Sequence, residues 1–134
     1  LKSSVLGIAF VLLTMFVSQG AFAWSQSNSI VVISTFASGR TFASSPSTEG
    51  ATIDSLGVSA FLKEEGIQVD NQSNICDRTP GQFVTCSVEA IDTTVTNTCK
   101  YCTWGEAIAW NSSNIYESVL LPMKCKVYLA GGNW

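Results

Sequence analysis

Two segments of this 134-residue chain alternate apolar and polar side chains with a period of two, and that spacing commits them to strands. From Phe83 to Ile91, Val84, Cys86, Val88 and Ala90 fall on one face, with Thr85, Ser87 and Glu89 on the other. From Val119 to Leu129, Val119, Leu121, Met123, Cys125, Val127 and Leu129 share a face, opposite Ser118, Pro122, Lys124 and Lys126. One apolar face per strand is what an antiparallel sheet with one buried side requires. This pattern turns Cys86 and Cys125 inward. It also puts Pro122, which has no N–H to give, at a sheet edge or a bulge.

The remainder reads the same way. A β-branched run from Ser29 to Ala37 predicts a first strand, and Ser38 to Gly50 predicts a loop with at most a weak edge strand at Thr41 to Ala43. Ile53 to Glu64 fits a strand with Leu56, Val58, Ala60 and Leu62 on one face, or a helix capped by Asp54 or Ser55. Gly57 disfavours the helix by about 1 kcal/mol, and a Glu65-Gly66 turn into Ile67–Asp70 favours a hairpin. Thr103 to Asn111 sets Trp104, Ile108 and Trp110 against Gly105, Ala107 and Ala109. The sum is an all-β chain of about seven strands, a small antiparallel β-sandwich, immunoglobulin-like or similar, preceded by an N-terminal signal helix.

Residues 1–23 carry that signal. Lys2 precedes an apolar run from Val5 to Val17, and Ala21-Phe22-Ala23 forms an A-x-A cleavage site. Gln19 and Gly20 interrupt the run before it reaches the roughly 20 residues of a membrane span. Cleavage after Ala23 takes 23 of the 134 residues and leaves 111, the size of one domain, over 24–134. The expected destination is secreted, periplasmic or extracellular. Retention of residues 1–23 would instead make a membrane-anchored or assembling surface subunit. Charged residues are 13% of the chain against about 25% in ordinary soluble domains, and no run of either sign occurs. No nucleic-acid footprint is present.

The five cysteines are Cys76, Cys86, Cys99, Cys102 and Cys125. In an exported chain they are expected to pair, leaving one over. Cys76 and Cys86 flank a turn at Thr79-Pro80-Gly81 and should be joined. For the others two arrangements stand: Cys125 bridges to Cys99 or Cys102, or Cys99 and Cys102 pair and leave Cys125 buried and free. The long-range bridge is favoured.

Chemistry is narrowed mainly by the absence of histidine. Ser-His-Asp and Cys-His hydrolases and histidine metal sites all need an imidazole. The single CxxC reads as structural, with Thr103 where haem attachment needs His. No cofactor, metal site or catalytic residue is expected. A histidine-free hydrolase would have to use carboxylates among Asp54, Glu89, Asp92, Glu106 and Glu117, of which Glu106 shares a face with the tryptophans. Trp104 and Trp110 are expected first as core residues. Alternatively, with Tyr116, they form a stacking surface for a carbohydrate or a protein surface. The functional expectation is a secreted binding or structural module.

Overall fold

The computed structural model describes residues 24–46, 53–95, 99–112 and 114–129. The proposed signal segment lies outside them. The described residues form seven strands: β1 (Ser25–Val32), β2 (Ala37–Ser45), β3 (Ser55–Glu64), β4 (Ile67–Asp77), β5 (Val84–Asp92), β6 (Cys99–Asn111) and β7 (Asn114–Tyr128). They make two antiparallel sheets, ordered β1-β2-β5 and β4-β3-β6-β7.

Local chemistry sets most of the connections. Ile53 to Glu64 is a strand, and Glu65 and Gly66 turn the chain with φ of 51° and 83°, the left-handed pair of a two-residue hairpin. The expected single strand from Ser29 to Ala37 is instead broken by a tight turn, closed by the Ile33 N–H donating to the Phe36 carbonyl at 2.9 Å. The β-branched run before that turn, and the absence of glycine, proline or asparagine within it, hide it. The expected loop after Ser38 is β2, the central strand of its sheet, in which Ala37, Gly39, Thr41, Ala43 and Ser45 are all buried.

Small side chains are selected there because the sheets meet closely. A Cβ on Gly39 would collide with Oγ1 and Cβ of Thr103, and a Cβ on Gly105 would collide with Thr41 Oγ1 and the Ser59 carbonyl. β2 and β6 thus interlock through two reciprocal glycine–threonine contacts. On one side of this seam Val32, Leu62, Ala90, Val95, Cys99 and Tyr101 form an apolar cluster. On the other, Ile53, Leu56, Val58, Val84, Cys86 and Ala107 form a second. Thr103 Oγ1 donates to the Phe61 carbonyl at 2.8 Å, whereas Thr41 Oγ1 has no hydrogen-bond partner among the described residues.

The flanks are tied by specific bonds. The Cys76–Cys86 disulfide joins β4 to β5, and beside it Asn74 Nδ2 donates to the Ser87 carbonyl and the Ile91 N–H donates to Asp70 Oδ2 at 2.8 Å. Arg78 spends its guanidinium on the carbonyls of Ile53, Pro46 and Gln82 and on Ser45 Oγ, gathering three connections at one end. At the opposite flank Asn28 Nδ2 donates to the Pro122 carbonyl, and Lys124 Nζ donates to the Asn28 carbonyl, both at 2.6 Å.

Pro122 sits in edge strand β7 within a bulge, as its missing donor requires. Leu121 pairs with Gly105 and Lys124 with Thr103, so one residue too many separates them and every later side chain changes face. Cys125 is therefore exposed beside Cys102 on the outer surface, not buried on the inner one as the unbroken alternation predicted. The Cys102–Cys125 disulfide closes a separation of 23 residues, and Cys99 is the free, buried thiol.

The seam makes a direct prediction. Gly39→Ala and Gly105→Ala should each lower unfolding free energy by about 1–3 kcal/mol through overpacking. Urea denaturation checks it. A loss within experimental error at both positions would mean that the sheets do not touch there.

Candidate functional site

From Thr103 onward, the residues of β6 turned away from the seam are its large ones. Because the inner face of this strand must present Thr103, Gly105, Ala107 and Ala109 to the opposing sheet, Trp104, Glu106, Ile108 and Trp110 are left on the outer face. The core role expected for Trp104 and Trp110 is thereby overturned. Both are half-buried on the outside of the four-stranded sheet.

Neighbouring strands complete this face. Phe61 of β3 pairs with Trp104 across the ladder, and their rings stack with centroids 3.9 Å apart and planes within 6°. Trp110 lies opposite Ser55 and reaches diagonally over Gly57, where a Cβ would stand 2.6 Å from Trp110 Cη2 and 2.7 Å from Cζ3. A bare glycine backbone gives the indole room to reach across the sheet, and the ring stays partly exposed. Six residues of strand place Trp104 and Trp110 about 20 Å apart along β6. Between them, Ser59 and Ser73 share a hydrogen bond of 2.9 Å, and Ser118 Oγ donates to Glu106 Oε1 at 3.4 Å. Ile75, Ile115 and Leu120 border the face, each more than 60% exposed.

Tyr116 does not join this surface. It occupies a bulge opposite the Ala109–Trp110 step and packs inward against the cluster containing Ile53 and Leu56. The aromatic trio expected from the sequence is thus a pair plus Phe61. Phe61, Gly57 and the two lysines beyond them, Lys63 and Lys100, went unselected as site residues. A glycine inside a strand pattern, facing a strand with tryptophans, was the signal that could have marked the face.

The candidate acids are dispersed. Asp54 accepts from the Ser112 backbone N–H at 2.5 Å, Glu117 from Trp24 Nε1 at 2.6 Å, and Glu89 from Ser38 Oγ at 3.3 Å. Asp92 accepts from Tyr101 OH at 2.7 Å and from the Thr94 N–H and hydroxyl. Only Glu106 of the five shares the face with the tryptophans. Among the described residues no group of three or more Cys, Asp or Glu side chains is placed to hold a metal ion.

Among the described residues, the perturbed groups lie in the core and on one flank. Burial raises the Tyr101 phenol far above its ordinary value, and its bond to the Asp92 carboxylate adds to this. Burial likewise pushes the Cys99 thiol up, and the charges of Glu64 and Glu65 reinforce it, so the free cysteine is held as an unreactive thiol. Burial pulls Asp92 upward, but hydrogen bonds from Thr94 and Tyr101 outweigh it and the carboxyl ends below its ordinary value. Asp70 is lowered chiefly by the Ile91 N–H.

No family model and no curated protein matches this chain. Among solved structures it is similar to the crystal structure of a protein from Archaeoglobus fulgidus, with a TM-score of 0.45 and 10% identity over 79% of this chain and 95% of that one.

The two lowered carboxyls make stability pH-dependent. Asp70 and Asp92 bind protons less readily folded than unfolded. Their contribution is therefore complete above about pH 5 and is lost as pH falls through their folded values. Denaturant midpoints should drop on going from about pH 5 to about pH 3, and Asp92→Asn should show a smaller drop. An unchanged slope in both Asp70→Asn and Asp92→Asn would remove these carboxyls from the explanation.

Proposed function

We propose that this chain is an exported binding module whose outer four-stranded face stacks a carbohydrate on Trp104 and Trp110, without catalysis. The observation that carries the reading is Trp110 laid over Gly57 on the same outward face as the Phe61–Trp104 stack. Indole faces that stay partly wet suit sugars, whose rings present C–H groups to an aromatic face and hydroxyls to the polar residues around it. Here those polar residues are Ser59, Ser73, Glu106 and Ser118. The separation of the two indoles, about 20 Å, fits an extended oligosaccharide rather than a single ring.

Two disulfides support export to an oxidising compartment, and the residues before Trp24 have the order of a secretory signal. The finer fold reading is an immunoglobulin-like sandwich. Lettered A to G in chain order, the strands divide as A-B-E and D-C-F-G, the constant-domain arrangement with its fourth strand, D, moved to the other sheet. The use of Asp54, Glu89, Asp92 and Glu117 in structural hydrogen bonds supports binding over carboxylate hydrolysis.

Calorimetric titration with cellotetraose tests the reading. Trp110→Ala and Trp104→Ala should each weaken binding by about 1 kcal/mol or more, roughly five-fold, while thermal unfolding remains cooperative. Equal affinity for wild type and both folded variants would refute it.

A further inference from the structure

At the hairpin end of the same face the surface changes character. One pleat beyond the Phe61–Trp104 pair, about 7 Å along the strands, Lys63 and Cys102 form the next cross-strand row. A cleft of about 360 Å³ opens there, lined by Lys63, Glu65, Gly66, Lys100, Cys102 and Met123. Its apolar part is the Met123 thioether and the exposed Cys102–Cys125 disulfide. Its polar part is two ammonium groups and one carboxylate.

The charges do not cancel in place. The Glu65 carboxylate accepts from the Lys100 backbone N–H at 2.6 Å, an interaction that fixes the strand end rather than a lysine side chain. The ammonium groups of Lys63 and Lys100 make no hydrogen bond and no ion pair among the described residues. In a chain with formal charge −3, two uncommitted cations on one cleft mark a place where an anion is attracted. An anion bound there would lie beside an aromatic stack on one side and an apolar sulfur-lined wall on the other.

We infer that the module selects acidic saccharides: the carboxylate of a uronic acid unit sits between Lys63 and Lys100 while adjoining sugar rings run along the face toward Trp104 and Trp110. This rests on the carbohydrate reading above and names its substrate class. The geometry favours a sugar over an acidic peptide because the cations are continuous with indoles about 20 Å apart, with the hydroxyls of Ser59, Ser73 and Ser118 on the surface between them.

The experiment compares the full mature chain against tetragalacturonate, neutral cellotetraose and a glutamate decapeptide by calorimetric titration. Tetragalacturonate should bind at least about ten-fold more tightly than cellotetraose at low salt. That preference should shrink as ionic strength rises from about 0.01 M to about 1 M, and Lys63→Gln with Lys100→Gln should abolish it. Equal affinity for the two sugars would overturn the acidic selectivity and leave the stacking reading intact. Binding of neither sugar would overturn both. Binding of the glutamate peptide as tightly as tetragalacturonate would overturn the saccharide assignment in favour of an acidic protein segment.

Discussion

Everything on the outer surface follows from how closely β2 and β6 approach each other at the centre of the molecule. Gly39 receives Thr103 and Gly105 receives Thr41, so no side chain larger than a threonine separates the sheets at these positions. Interiors are packed to crystal-like density, and a contact this close leaves no room for relaxation around an added methyl group. It also carries a cost, since Thr41 Oγ1 is buried without a partner among the described residues. The compensation is geometric. With the inner face of β6 restricted to small residues from Thr103 to Ala109, the tryptophans and isoleucine of that stretch have only the outside to occupy.

The seam divides the apolar interior into two clusters, and each is closed by different means. Around Ile53 and Leu56 the closure is a disulfide together with the Arg78 hydrogen bonds, which satisfy carbonyls that would otherwise end in apolar surroundings. Around Leu62 and Tyr101 it is a buried phenol bonded to an aspartate that two Thr94 groups also hold. The second disulfide lies outside the core altogether. Cys102–Cys125 pins the long strand β7 to β6 on the outer face, just past the bulge where Pro122 interrupts the alternation.

Legibility in the sequence tracked how local the determining physics was. The alternation from Val84 to Ala90, the Glu65-Gly66 hairpin and the Cys76–Cys86 bridge each depend on a few adjacent residues, and each was readable. The turn at Ile33–Phe36 was not, because it contains no glycine, proline or asparagine and is flanked by strand-forming residues. β2 looked like a loop because its small polar residues carry meaning only once β6 lies against them. The same partner decides which way Trp104 and Trp110 point: the large and small faces of β6 were evident, but which one is buried is a property of the pair of sheets. For Cys125, a single extra residue opposite Trp104 reversed a correct alternation.

We propose the face carrying Phe61, Trp104 and Trp110, with Lys63 and Lys100 at its end, as the working surface of the molecule, and the three-stranded sheet as its support. The most direct test follows the indole N–H resonances of nitrogen-labelled protein during titration with tetragalacturonate. Trp104 and Trp110 should shift with added ligand, while Trp24, whose indole donates to Glu117 at the other flank, stays in place. Shifts at Trp24 and along β1, β2 and β5, with Trp104 and Trp110 unmoved, would contradict the account.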